Sequence, residues 1–281
     1  MSVTEGPGPA SKRESTSDAV NRSIHLEVCD SVAVMTLGNP DGSNSIDLAM
    51  GVALRDAVRR LSSNPPRVLL IRGSDKGFLM GGDVKRFHEL LGHSKRSVRD
   101  ELAALIDAVH EAISAMKELP CPVISAVRGG VAGFGMSLAL ASDMVIAAED
   151  AKFVFAYGSI GATPDGGLSW HLPRCVGLQR ALFIALTNPT ITASQAQALG
   201  MVSITVEHSE FESTTQAIVN RLKGGPYAAQ ANIKALFRDA LETGLEAALA
   251  AEKKSFLEMS MTEDFAEGVA AFCEKRAARF G

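Results

Sequence analysis

The stretch Pro122–Asp143, PVISAVRGGVAGFGMSLALASD, decides the fold. Val123–Val127 is a short apolar run bounded by Pro122 and Gly129-Gly130, the pattern of a strand buried on both faces. After the glycines, about Ala132–Ala141 is rich in small apolar residues and reads as a buried helix. A strand passing through glycines into a helix exposes unpaired backbone N–H groups at the helix start, and these favour anionic oxygen. Glycine there permits positive φ and close approach of a ligand to the backbone. The same glycines would equally serve a tight turn.

Upstream, Arg67–Arg72 (RVLLIR) is another buried-strand run, stopped short of the preceding helix by Pro65-Pro66. It leads into a second glycine loop, Gly77-Phe78-Leu79-Met80-Gly81-Gly82-Asp83. His25–Val28 and Val32–Leu37 flank a turn at Cys29-Asp30-Ser31 and predict a hairpin. Asp47 is placed to cap a helix carrying Met50, Leu54, Val58 and Leu61 at helical spacing. A longer helix presents Leu102, Leu105, Ile106, Val109, Ile113 and Met116 on one stripe. Downstream, Met144–Ala148 and Lys152–Ala156 read as strands. The strand, strand, helix recurrence predicts an α/β core of ββα units. From about residue 166 the chain reads as helix, except Val202–Val206. Three helical stretches close it, near 226–242, 245–260 and 263–277, with Thr262 capping the last.

Composition bounds the function. The 281 residues carry 28 Lys plus Arg against 32 Asp plus Glu, a net charge of −4, which excludes the basic face of a nucleic-acid or anionic-membrane binder. No apolar run reaches the length of a membrane span. Residues 1–20 are Pro, Gly, Ser and charge without an aromatic, and read as a disordered tail without a secretory h-region. Cys29, Cys121, Cys175 and Cys273 form no metal-ligand spacing and read as buried free thiols. The histidines form no cluster, so no metal is expected. These absences point to a cytoplasmic protein. Trp170 reads as a core residue.

The run Gly77–Lys85 (GFLMGGDVK) resembles the F-x-x-G-x-D-[IL]-K loop of the enoyl-CoA hydratase/isomerase (crotonase) superfamily. Gly38-Asn39-Pro40 with Asn44, Pro122–Asp143, Phe153–Gly177, Ala193–Val202 and Thr262–Arg276 match in family order. The resemblance implies a crotonase-like spiral of ββα units with a helical C-terminal trimerisation region. On that reading the chain divides into a tail (1–20), a catalytic core (21–221) and a helical oligomerisation region (222–281). It further implies acyl-CoA substrates, no cofactor beyond the coenzyme A of the substrate, and a homotrimer or dimer of trimers acting in fatty acid metabolism.

Carried over by position, the thioester oxygen would sit between the N–H groups of Gly82 and Phe134. The family usually has Gly or Ala where Phe134 stands. Met80, Gly81, Asp83, Lys85, Phe272 and Lys275 match positions near CoA. Family hydratases resemble one another in using two glutamates. The matching residues here are Ser137 and Tyr157, and neither is a carboxylate. Asp165, in Thr163-Pro164-Asp165-Gly166-Gly167, stands where family isomerases place an acid, and it could alternatively cap the next helix. The resemblance therefore implies first an enoyl-CoA isomerase with Asp165 as base, then an enoyl-CoA hydratase (a lyase). A third reading joins His110, Tyr157 and Asp165 in the pattern of 4-chlorobenzoyl-CoA dehalogenases, although a tryptophan stands there in place of Tyr157. A non-catalytic CoA-thioester binder, with its pocket blocked by Phe134, is the alternative outside enzymes.

Overall fold

The computed structural model describes residues 23–38, 44–74 and 77–281. The expected tail, and Asn39 and Pro40 of the early motif, lie outside the described residues. The hairpin forms as expected, β1 (Ile24–Cys29) against β2 (Val32–Leu37), with Asp30 and Ser31 at positive φ in the turn. On β2 the alternate residues Ala33, Met35 and Leu37 are fully buried, as a half-covered strand requires. In α1 (Leu48–Ser63) Asp47 accepts from the Met50 N–H at 2.8 Å, and Met50, Leu54, Val58 and Leu61 face the core.

β3 (Val68–Arg72) follows, then α2 (Val84–Leu90) and the 24-residue α3 (Lys95–Glu118). α3 packs on α1 where Gly51 removes a side chain; a Cβ there would stand 2.9 Å from Leu105. β4 (Val123–Val127) is buried throughout. The helix after it starts later than its composition suggested. Gly130–Ala132 instead forms a short strand, β5, and α4 spans Phe134–Ala141. β6 (Met144–Ala148) and β7 (Lys152–Val154) follow, and β7 stops short because Ala156 takes φ 67°.

A 3-10 turn (Tyr157–Ile160) leads towards α5 (Leu168–Val176) and α6 (Leu178–Thr187). The two-residue strand β8 (Ile191–Thr192) was not legible, because it has no pattern of its own and exists by pairing with β7. α7 (Ala193–Leu199), β9 (Ile204–Val206), α8 (Phe211–Lys223), α9 (Tyr227–Ala240), α10 (Leu245–Met259) and α11 (Glu263–Glu274) complete the chain.

Two sheets result. The larger runs β1-β2-β3-β4-β6-β9, parallel except for the hairpin; the smaller runs β5-β7-β8. One face of the large sheet packs on α8 through Val68, Leu70, Ile124 and Ala126. The other, with α1, α3 and α4, builds the main core. The C-terminal helices are fastened to it by polar contacts: Lys234 pairs with Asp143 at 2.8 Å and donates to the Cys121 carbonyl at 3.0 Å, while Arg238 donates to the Lys117 carbonyl.

Two expectations are corrected here. Trp170 is half-buried, with the Arg174 guanidinium 3.8 Å from its ring centre, so it serves as a cation platform at the surface rather than as core. The cysteines are free, but only Cys121 is buried; Cys29 and Cys273 lie on exposed positions of β1 and α11.

Candidate active site

Two glycine loops, whose facing residues Gly81 and Gly133 are 52 positions apart in the chain, are pressed together backbone to backbone. Gly81 has φ 88°, and a Cβ there would stand 3.4 Å from the Gly133 Cα; a Cβ on Gly133, at φ 51°, would stand 3.2 Å from the Gly81 Cα. Larger residues at either place would force the loops apart. Leu79 bridges to Val131, and the Ala132 N–H donates to its carbonyl at 2.9 Å.

The first loop is held from below by Asn44, a buried side chain whose Nδ2 donates to the Gly77 carbonyl at 2.5 Å and to that of Phe78 at 3.3 Å. Ser74 Oγ donates to Asn44 Oδ1. Asn44 was only a motif position in the sequence. Its clamp role needs a partner 33 residues away, which no local signal gives.

Gly82 forms a parallel bridge with Ile46, in which the Gly81 carbonyl and the Asp83 N–H face Ile46 at 2.8 and 2.9 Å. Backbone alternation turns the Gly82 N–H to the opposite side. Phe134 begins α4 directly after Gly133, so its N–H is one of the unpaired helix-start donors. Among the described residues, no protein acceptor meets either N–H. The Phe134 ring does not fill the site. It is 2% exposed and packs under Gly166, where a Cβ would stand 2.7 Å from it.

Gly81, Gly82, Gly133 and Phe134 border a cavity of about 600 Å³ that Asp165, Tyr157 and His110 also line. Its walls are otherwise mostly apolar, with Ile46, Phe87, Leu102, Ile106 and Val109 prominent. Asp165 is the only carboxylate among the described lining residues. Its backbone carbonyl accepts from Ser137 Oγ at 3.0 Å and from the Leu168 N–H at 3.1 Å, while Gly166 and Gly167 turn the chain at positive φ. The alternative capping role is not taken: Gly167 is the N-cap of α5, and no side chain caps that helix.

Tyr157 donates to Asp165 Oδ1 at 2.5 Å and lies 3.1 Å from Ser137 Oγ. Among the described residues Asp165 Oδ2 has no such partner. Burial pushes the Asp165 carboxyl above its ordinary range, opposed by the Tyr157 hydrogen bond and by the charge His110 can carry. The Tyr157 hydroxyl is held well above the usual phenol range by burial, then by the Asp165 charge and hydrogen bond, so it stays a proton donor. Ser137, fully buried, stands behind this pair and does not line the cavity.

The remaining expected positions divide. Met80 lies half-exposed at the cavity rim. The Asp83 carboxylate is spent on capping α2, accepting from the Lys85 and Arg86 N–H groups at 3.0 and 3.1 Å. Lys85 is an exposed first-turn residue of α2 and does not line the cavity. Phe272 and Lys275 lie on and just after α11, also away from the lining, with Phe272 87% exposed. Among the described residues no group of three or more His, Cys, Asp or Glu could hold a metal ion, and no helix is long and apolar enough to cross a membrane.

A parallel sheet, a smaller sheet beside it and two joined glycine loops over an apolar cavity make this a mixed α/β protein of the crotonase type. The chain belongs to the enoyl-CoA hydratase/isomerase family, whose model matches residues 27–281. It is 36% identical to a Rhodobacter capsulatus protein named "probable enoyl-CoA hydratase", over 92% of this chain and 97% of that one. It is 32% identical to the 1,2-epoxyphenylacetyl-CoA isomerase of Escherichia coli, over 89% and 94%. The crystal structure of an enoyl-CoA hydratase from Polaromonas sp. JS666 superposes with a TM-score of 0.84 at 30% identity, over 92% of this chain and 99% of that one.

Proposed function

We propose that the protein is an enoyl-CoA isomerase that moves the double bond of a 3-enoyl-CoA into conjugation with the thioester. The observation that carries this reading is the single carboxylate of the cavity, Asp165, held by Tyr157 with one oxygen free. Asp165 takes the α-proton, and the C–H electron pair moves into the bond between the α-carbon and the thioester carbon, pushing the carbonyl pair onto the thioester oxygen. That enolate is stabilised by the Gly82 and Phe134 N–H groups, where one donor of this kind contributes ~10²–10³ in rate. The protonated Asp165 then returns its proton to the γ-carbon as the enolate collapses, leaving a 2-enoyl-CoA. One group acts first as base and then as acid, so a second carboxylate is not needed. Its raised pKa suits both roles.

Met80, Gly81, Asp83 and Lys85 would carry CoA through backbone and rim contacts. Phe272 and Lys275 would reach CoA on a neighbouring subunit of a homotrimer or a dimer of trimers, which accounts for their distance from the cavity of their own chain. The reading needs no cofactor beyond substrate CoA, and it places the enzyme in cytoplasmic fatty acid metabolism.

Replacing Asp165 by Asn keeps shape and removes the base. Isomerisation of 3-enoyl-CoA should fall by ~10²–10⁴ while acyl-CoA affinity stays within a few-fold. Undiminished turnover would reject Asp165 as the base. A hydratase reading is favoured by the names of the Rhodobacter and Polaromonas relatives. It would have Asp165 activate water, and it predicts 3-hydroxyacyl-CoA from a 2-enoyl-CoA at a rate exceeding isomerisation.

A further inference from the structure

A second concavity of about 610 Å³ opens on the outer side of α3, bordered by Arg59, Asp107, Glu111, Ser114 and Glu118. Of the described residues, His110 alone borders both this outer concavity and the inner cavity. The division follows from helical geometry. Leu102, Ile106 and Val109 turn inward on α3, Asp107, Glu111 and Ser114 turn outward, and His110 falls on the boundary. Among the described residues its imidazole makes no hydrogen bond or salt bridge; its polar neighbour on the inner side is Asp165, on whose carboxyl its charge acts.

The two sides differ in chemistry. The inner wall is aliphatic and aromatic, whereas the outer one holds three carboxylates and one guanidinium, with Arg59 already 2.8 Å from Glu111. An acyl chain is stabilised inside by about 0.8 kcal/mol per buried methylene, and it would lose that gain among exposed carboxylates. We propose that the His110 side chain is the partition that ends the acyl cavity, and hence the residue that sets the longest acyl group the site accepts. This rests on the acyl-CoA reading given above. It assigns the substrate class further: an apolar acyl group without a charged terminus, short enough to end at the imidazole.

The test measures calorimetric affinities of saturated straight-chain acyl-CoAs, from butanoyl to hexadecanoyl, which bind without reacting. Wild-type affinity should rise by about fourfold per methylene, the equivalent of 0.8 kcal/mol, and then stop or fall at a definite length. In His110→Ala the two spaces join, and that break should move to longer chains by several carbons. His110→Phe restores the bulk without the imidazole and should restore the wild-type break. The site is on the surface of α3, and thermal melting of both variants verifies that they are folded. A break at the same length in wild type and His110→Ala, with short chains still bound, would overturn the partition and leave the acyl-CoA reading intact. A break in His110→Phe that follows His110→Ala would likewise overturn it. Failure of wild type to bind any acyl-CoA would overturn the acyl-CoA reading, and the partition with it.

Discussion

Asp165 and Tyr157 share one short hydrogen bond, and each changes what the other can do. The bond and the neighbouring His110 pull the Asp165 pKa down against the larger upward push of burial. Tyr157→Phe removes the largest of the downward effects, so the carboxyl titrates at higher pH still. Because the proposed base is the ionised form, the acidic limb of the kcat/KM profile should move upward in this variant, read from rates across pH. The same shift has a stability consequence. A carboxyl whose folded pKa lies above its unfolded value contributes stability below about pH 3.8, the ordinary value, and loses it as pH rises through the folded pKa. At neutral pH the ionised Asp165 is therefore a destabilising group. Asp165→Asn, the variant expected to lose turnover, should raise Tm by a few degrees in a melting scan at pH 7. The acid was legible as a motif residue, whereas its free Oδ2 and its tyrosine donor belong to the folded chain.

At the scale of elements, α4 carries the argument. Every one of its residues is buried, so its small side chains are a packing requirement, and that composition marked it in the sequence. Its start was misplaced because Gly130–Ala132 is too short to show a strand period; β5 exists through its ladder with β7. The position of α4 against the first glycine loop depends on Gly135, where a Cβ would stand 2.0 Å from the Leu79 carbonyl oxygen. Gly135→Ala must push helix and loop apart. Overpacking of this kind costs about 1–3 kcal/mol. It should also separate the Gly82 and Phe134 donors, so turnover should fall by ~10²-fold or more even where the variant remains folded. Chemical denaturation and turnover on one preparation check both effects.

For the whole molecule, the notable feature is apolar surface that one chain leaves uncovered. Leu178, Phe183 and Leu186 on α6 are 63–81% exposed, and Phe237, Leu245 and Phe272 on the C-terminal helices are 75–87% exposed. Large apolar side chains exposed to this degree, where they gather into a patch, mark an association surface. The proposed trimer covers them, and Phe237→Lys should shift the sedimentation velocity distribution towards smaller species. Loss of acyl-CoA affinity in the same variant would tie assembly to the site, as the roles proposed for Phe272 and Lys275 predict. An unchanged distribution would remove Phe237 from the interface.

The sequence by itself determined the α/β class, the order of the main strands and helices, and both glycine loops. These rest on local properties: apolar period, Pro and Gly punctuation, capping side chains. It also singled out Asp165, Tyr157, Ser137 and His110 as the groups worth locating. Only the tertiary structure decided which of them meet. The contact between Gly81 and Gly133, the Asn44 clamp, the seat of the Phe134 ring under Gly166 and the boundary position of His110 each join residues remote along the chain or opposite faces of one helix. Such contacts are set by packing among several elements at once, and no periodicity within any one of them records the outcome.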